Sequence, residues 1–334
     1  MRVMRTLGDL GESALIARIE RHARRGNRPW VRLGIGDDAA IVRARPGEDL
    51  VVSADTLVED VHFRWETQSA SLIGERALAA NLSDLAAMGS RPLGCTLALS
   101  APTDLAVSRV DALARGFTRA AERWSCPLVG GNVSRARETS LAVTVFGALP
   151  RGRALRRGDV KPGDRIGVTG PLGRCALERL RVERDGGAIR YVPEPRIAAG
   201  RAFLATAGHG GCVDLSDGLV TDLPQLLEGS GCGVRLDSDR VPRARGLDAG
   251  ARRLGLEADT LAFAGGEDYE LLLAWRSRGP STDALSRKLG LAVHEIGRAV
   301  ALPGIEGWPE TLGKRHVWRH FDTSARRSTK ARRR

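Results

Sequence analysis

Apolar and polar positions along the chain follow two different periods. Between residues 31 and 54, VRLGI, AAIVRA and LVVSA are short apolar runs broken by Gly, Pro and charge, which predicts strands. SLIGERALAANLSDLAAMG repeats its apolar positions at helical spacing and stops on Gly89, which predicts a helix. PLGCTLALS predicts a strand and LAVSRVDALARGFTRAAERW a long amphipathic helix. CPLVGG and SLAVTVFGALP complete a first unit near Pro150. The polar, turn-rich RGRALRRGDVKPGD places a domain boundary at about 150–160. A second unit follows, with a strand at RIGVTG, helices through 173–206, a strand into CVDLSD and a helix after Gly218. Further strands are expected near GVRLD, YELLLAW and VHEIGRAV. The expected fold class is α/β of the α+β kind, with domains at 1–150 and 151–323 and a basic tail at 324–334.

One echo links the units: NLSDL (81–85) and DLSDG (214–218) share Leu-Ser-Asp. It suggests one local device, an acid and a hydroxyl at a helix start.

Composition narrows the class. The 334 residues are 42% apolar and 4% aromatic, so the core is expected to be Ala, Leu and Val. No run of about 18 uncharged apolar residues predicts a membrane span, and the N-terminus, broken at Asp9 and Glu12, lacks a signal-peptide core. Five widely spaced cysteines form no C-x-x-C pair, which points to buried thiols in a reducing cytoplasm. The net charge of +12 is mostly arginine, much of it in SARRSTKARRR. That tail reads as a solvated end or as a nucleic-acid or membrane-surface contact, and no aromatic residues interleave with its arginines to favour a contact role.

The candidate chemistry is acidic. In LGIGDDAAIV, Asp37 and Asp38 stand side by side and disfavour each other's ionisation. GIGDDA matches a relaxed dinucleotide fingerprint with Asp55 downstream, but AAIVRA continues as strand where a helix is required. No P-loop occurs. Asp55 in SADT, right after a strand, and Asp84 in NLSD stand at element ends among small residues. Asp214 and Asp217 in DLSDG, and Glu267 and Asp268 in GGEDYE, do the same. Each alone serves as a cap or turn acid; together they suit a hard cation such as Mg²⁺, which binds oxygen and bridges to phosphate. LVGGNVSRA offers two glycines after a strand, either a tight turn or a phosphate cradle. His62 in DVHF and Trp318 in HVWRHF are a core histidine and a surface aromatic if they have no ligand role. Arg156 and Arg157 are solvated or face a phosphate.

Seven blocks in chain order carry a resemblance: GIGDDAAIV, SADTLVEDVHF, ALAANLSDLAAMGSRPLG, GGNVSRA, KPGDRIGVTGPLG, VDLSDGLVTDL and GGEDYELLL. They resemble bacterial thiamine-monophosphate kinase, of the superfamily of aminoimidazole ribonucleotide synthetase and selenophosphate synthetase. The resemblance implies two α/β domains and a homodimer whose N-terminal sheets pair. It also implies ATP-dependent, Mg²⁺-assisted in-line transfer of a phosphoryl group to thiamine monophosphate. Asp38, Ser53, Asp55, Asp84 and Asp214 match metal positions, with Asp37 beside them, Asp217 a further one, and Ala54 able to serve through its carbonyl. Gly130, Gly131, Asn132, Arg157 and Ser216 match positions near ATP. His62, Glu267 and Trp318 match substrate-holding positions. No residue is implied as a general base, because the attacking phosphate oxygen is already an anion. One departure stands out: Asn132 replaces an aspartate usual in the family. It leaves open a relative with another small-molecule substrate, or a nucleotide-binding relative of reduced activity.

Overall fold

The structure is a computed structural model that describes residues 6–10, 12–23, 28–33, 41–207 and 210–312. The chain opens with helices α1 (Leu7–Leu10) and α2 (Glu12–Ala23) and a small antiparallel pair, β1 (Val31–Leu33) and β2 (Ile41–Val42). Next come β3 (Glu48–Val58), α3 (Ala70–Ala87), β4 (Arg91–Ala101), α4 (Val107–Arg123), β5 (Leu128–Arg135) and β6 (Ser140–Pro150). The four longer strands form one sheet in the order β3-β6-β4-β5, with β4 and β5 parallel and the other pairs antiparallel.

Alternation in SLAVTVFGALP buries Leu141, Val143 and Val145 against the helices. The amphipathic α4 contributes Val110, Leu113 and Phe117 to the same core. The opposite face of β3 is bare: Leu50 is 63% and Val52 66% exposed. β3 and β5 are the sheet's two edges.

The second unit runs β7 (Arg165–Thr169), α5 (Arg174–Asp185), α6 (Ile197–Ala207), β8 (Gly211–Asp214), α7 (Leu219–Leu226) and β9 (Gly233–Leu236). It ends with α8 (Leu247–Leu254), α9 (Ala258–Ala264), β10 (Leu271–Trp275), α10 (Thr282–Leu289), β11 (Val293–Val300) and β12 (Ile305–Glu306). Its six strands lie in the order β12-β9-β11-β7-β10-β8. Apolar residues cover both faces. Leu219, Leu223, Leu247 and Phe263 pack on one; Phe203 and Leu285 pack on the other, together with Ala86, Ala87, Leu149 and Leu155. That second core is the seam between the two sheets. At the seam α6 lies so close to α3 that a Cβ on Gly200 would stand 1.9 Å from the Ala86 carbonyl, so only glycine fits.

The mixed α/β expectation holds, as do the long helices and most strands. Two local expectations do not. NLSDL is no helix start: it lies deep in α3, while DLSDG runs from the last residue of β8 to the N-cap of α7, so the echo serves two different backbones. Asp55 does not follow a strand. β3 continues through it to Val58, with Asp55 opposite Val143. The two-turn helices α8 and α10 were not expected; the left-handed glycines Gly255 and Gly290 end them. No described helix is long and apolar enough to cross a membrane, and all five cysteines are buried and free.

Candidate active site

Helix α3 organises the site. Ser69 caps it by accepting the Leu72 N–H at 3.3 Å. The alanine-rich helix then runs between the first sheet, α4, α6 and β8. Burial on nearly every side makes each polar residue in it an exception that requires a partner. Asn81, fully buried, accepts the Asp55 backbone N–H at 2.9 Å and donates to the Ala77 carbonyl at 2.9 Å. Asp84, one turn on, accepts the Ser53 hydroxyl at 2.5 Å. Arg76, two turns earlier, donates to Glu267 at 2.6 Å.

These contacts make a row of acids at the seam. Burial pushes the Asp214 carboxyl pKa up, and the Asp84 carboxylate adds to the effect. Burial likewise raises Asp84, with Asp55 adding repulsion, while the Ser53 hydrogen bond and Arg157 oppose it. The buried Ser83 hydroxyl makes no hydrogen bond of ordinary geometry, but it lies close enough to Asp214 to favour the charged form. Behind them, Asp222 accepts the backbone N–H groups of Asp217 and Gly218 at 3.1 and 3.0 Å. Burial, Asp214 and Asp217 push it up to about 8.

A second loop is laced to the first. The Glu267 N–H donates to Ser216 O at 2.7 Å, Tyr269 N–H to Leu215 O at 2.9 Å, and Leu215 N–H to Glu270 O at 2.8 Å. Glu267 and Tyr269 hold φ of 59° and 51°, a left-handed conformation that side chains rarely adopt. Such strain, about 1–3 kcal/mol per residue, gathers at functional loops. Asp268 between them is buried and accepts the Gly173 N–H at 2.7 Å. Burial lifts its pKa to about 7 against the backbone donors of Gly173, Cys175 and Arg174.

Of the residues singled out from sequence, the structure brings together Ser53, Asp55, Asp84 and Asp214. Arg157 lies near enough to lower the pKa values of both Asp84 and Asp214. Ser216, Asp217 and Glu267 stand in the two laced loops. Ala54 is exposed on β3 opposite Thr144. His62 is half-buried in the turn after β3, where its Nδ1 accepts the Val58 N–H at 3.1 Å. Gly130, Gly131 and Asn132 are not beside the acids. They lie on β5, three strands across the sheet from β3, roughly 14 Å at ordinary strand spacing. Gly131 is required there, since a Cβ would meet the Leu97 carbonyl at 2.0 Å. Asp37, Asp38 and Trp318 lie outside the described residues.

Among the described residues, no group of three or more His, Cys, Asp or Glu side chains is placed to hold a metal ion. What is present is an open row of oxygen donors whose mutual repulsion a cation would relieve. That chemistry fits Mg²⁺, which completes its shell with water and phosphate oxygens.

Sequence reading passed over Arg76, Asn81 and Asp222. The signal for the first two was available: an arginine and an asparagine inside a largely apolar, alanine-rich helix.

Residues 36–149 match the family model described as AIR synthase related protein, N-terminal domain. Thiamine-monophosphate kinase of Synechococcus elongatus is 35% identical, over 96% of this chain and 99% of its own. The Escherichia coli K12 enzyme of the same name is 37% identical, over 93% and 98%. The crystal structure of thiamine-monophosphate kinase from Stenotrophomonas maltophilia superposes with a TM-score of 0.76 at 38% identity, covering 87% of this chain and 94% of that one. AaThiL complexed with AMPPCP and TMP superposes with a TM-score of 0.70 at 29% identity, over 96% and 100%. Hydrogenase maturation protein HypE of E. coli, 19% identical with a TM-score of 0.70, shares the fold. With two sheets joined at an acidic seam and full-length relatives of one kind, the chain belongs to the thiamine-monophosphate kinase family.

Proposed function

We propose that this protein phosphorylates thiamine monophosphate with ATP, giving thiamine diphosphate and ADP. The observation that carries the reading is the seam itself. Ser53, Asp84 and Asp214 converge there, and Asn81 pins the backbone at Asp55, in a family with a solved complex of AMPPCP and TMP.

A terminal phosphate oxygen of the acceptor attacks the γ-phosphorus of ATP. A new P–O bond forms, the bond from the γ-phosphorus to the β,γ-bridging oxygen breaks, and ADP leaves with that electron pair. Asp55, Asp84, Asp214 and Asp217, with Asp37, Asp38, Ser53 and the Ala54 carbonyl, are the proposed Mg²⁺ ligands. Bound Mg²⁺ supplies the positive charge that lets two polyanions approach. The protein's own part is placement. Asp84 orients the Ser53 hydroxyl, and Asn81 fixes the backbone that carries Asp55. Arg157 adds positive charge beside the acids. Ser216 and the Gly130–Asn132 strand are assigned to ATP. Glu267, held by Arg76, faces the cationic ring of the acceptor, with His62 and Trp318 as its other contacts.

We propose residues 1–150 and 151–323 as the two domains and a homodimer as the working form. The bare, partly apolar sheet face and the unpaired edges of β3 and β5 support the dimer. Pairing β3 of one copy with β5 of the other would close both edges and cover Leu50 and Val52. It would also bring Gly130–Asn132 of the second copy to Asp55 of the first. The cytoplasm is the proposed compartment.

The test is direct. Purified protein, ATP, Mg²⁺ and thiamine monophosphate should yield thiamine diphosphate by chromatography. ATP turnover indifferent to thiamine monophosphate, or no turnover, would overturn the reading.

A further inference from the structure

We propose a second ligand site, for a small phosphate ester with an apolar body, in a cleft at the far end of the first sheet. The cleft encloses about 450 Å³ and lies where β3 and β4 begin, β6 ends and α6 passes. It starts at Glu48, five residues before Ser53 on β3, roughly 17 Å along the strand from the acidic row.

Its rim is cationic. Arg45, Arg91, Arg153 and Arg201 face it against a single acid, Glu48. Arg91 is spoken for: one guanidinium nitrogen meets both Glu48 oxygens at 3.0 Å, and the group lies over the Trp30 ring at 5.9 Å. Arg45 lends Glu48 some of its field, and its backbone N–H donates to that carboxylate at 2.9 Å. The guanidinium groups of Arg45, Arg153 and Arg201 form no ion pair among the described residues. The neighbouring Arg151 and Arg156, by contrast, pair with Asp49 and Asp159. Among the described residues, Arg45, Arg153 and Arg201 thus have no ion-pair partner.

Its floor is apolar. Ala148, Leu149, Pro150 and Leu204 lie beneath the arginines. A cationic rim over an apolar floor selects a particular ligand chemistry. The guanidinium forks match phosphate oxygens in pairs, and the floor gains from covering an apolar group. The volume is that of a small-molecule pocket rather than of a single inorganic ion.

The experiment is calorimetry on the full-length protein in EDTA, which keeps divalent cations away from the acidic row, with phenyl phosphate and inorganic phosphate as probes. Phenyl phosphate should bind about tenfold more tightly than phosphate, reflecting the floor. Arg153→Ser with Arg201→Ser should weaken it about tenfold or more while leaving kinase turnover unchanged. Hydrogen exchange with phenyl phosphate should show protection in segments 45–50, 146–153 and 197–207. Equal affinity for the two probes, binding indifferent to the double substitution, or protection confined to the segments bearing Ser53, Asp84 and Asp214 would each overturn the proposal.

Discussion

The Arg76 guanidinium and the Glu267 carboxylate meet at 2.6 Å across 191 residues of chain. They tie a helix of the first sheet to a loop of the second. Burial alone would lower the Arg76 pKa, but Glu267 more than offsets it, and the group stays charged. Arg76 therefore holds the Glu267 side chain in place. Arg76→Met should raise KM for thiamine monophosphate by about tenfold or more, the loss of one charged hydrogen bond, with a smaller change in KM for ATP. Arg76→Lys should recover part of it. In a Glu267→Gln background the same change should add little. Equal effects on both substrates would mean that the pair is only structural.

The metal role proposed for Asp84 sets stability against function. Replacing it with Asn removes a buried charge and keeps an acceptor for Ser53. Turnover should fall about 100-fold or more, while the melting temperature holds or rises. Near-normal kcat in a folded variant would remove Asp84 from the metal-binding set.

Asp268 gives a pH signature in stability. Its carboxyl, raised by burial to about 7 in the folded state, is protonated there over a range where the unfolded chain is ionised. That contribution to stability is complete below the unfolded pKa near 3.9 and is lost as pH rises through about 7. Asp268→Asn keeps an acceptor for the Gly173 N–H and does not titrate. The drop in denaturation midpoint between pH 5 and pH 8 should shrink in the variant; an unchanged drop would show that Asp268 does not titrate as described.

The proposed dimer predicts complementation. Asp55→Asn on one copy and Gly130→Leu on the other should each be inactive alone. A Cβ at Gly130 meets only the Thr96 methyl at 3.5 Å, so the second variant should fold. If β5 of the partner completes the site, mixing after partial unfolding restores one intact site per mixed dimer. Activity that never returns would place both strands in a single-chain site.

Asn132, where the resemblance implies an aspartate, is expected to weaken one proposed cation site. Asn132→Asp should lower the Mg²⁺ concentration needed for half-maximal turnover and for half-maximal Mg²⁺-dependent ATP binding. No change in either would show that this position is not limiting.

Much of this was legible in the chain. The strand alternation of 140–150 reports burial directly, because one neighbouring layer decides which positions face inward, whereas the mostly apolar 70–87 reports a helix buried on nearly every side. Asp55, Asp84 and Asp214 were legible as candidates by residue type and small neighbours, although Asp55 lies within β3 and Asp84 within α3 rather than at element ends. Their partners were not. Asn81 and Arg76 act on groups 26 and 191 residues away, and no local pattern encodes such contacts. The strand through Asp55 was misread because Ser-Ala-Asp-Thr looks like a turn; pairing with β6 overrides that local preference. The distance between Gly130–Asn132 and the acids follows from strand order, which a linear reading does not contain.

Arg76 and Asp84 sit eight residues apart on one helix, roughly 12 Å at 1.5 Å per residue. Locked between neighbours on every side, that rod cannot stretch. It works as a yardstick: one mark grips Glu267, proposed to meet the acceptor's ring, the other Ser53, a proposed metal ligand. An acceptor with charges spaced to match spans both marks, whereas a shorter or longer one engages a single mark. Discrimination by length would then be written into the pitch of a helix that need never touch the molecule it measures.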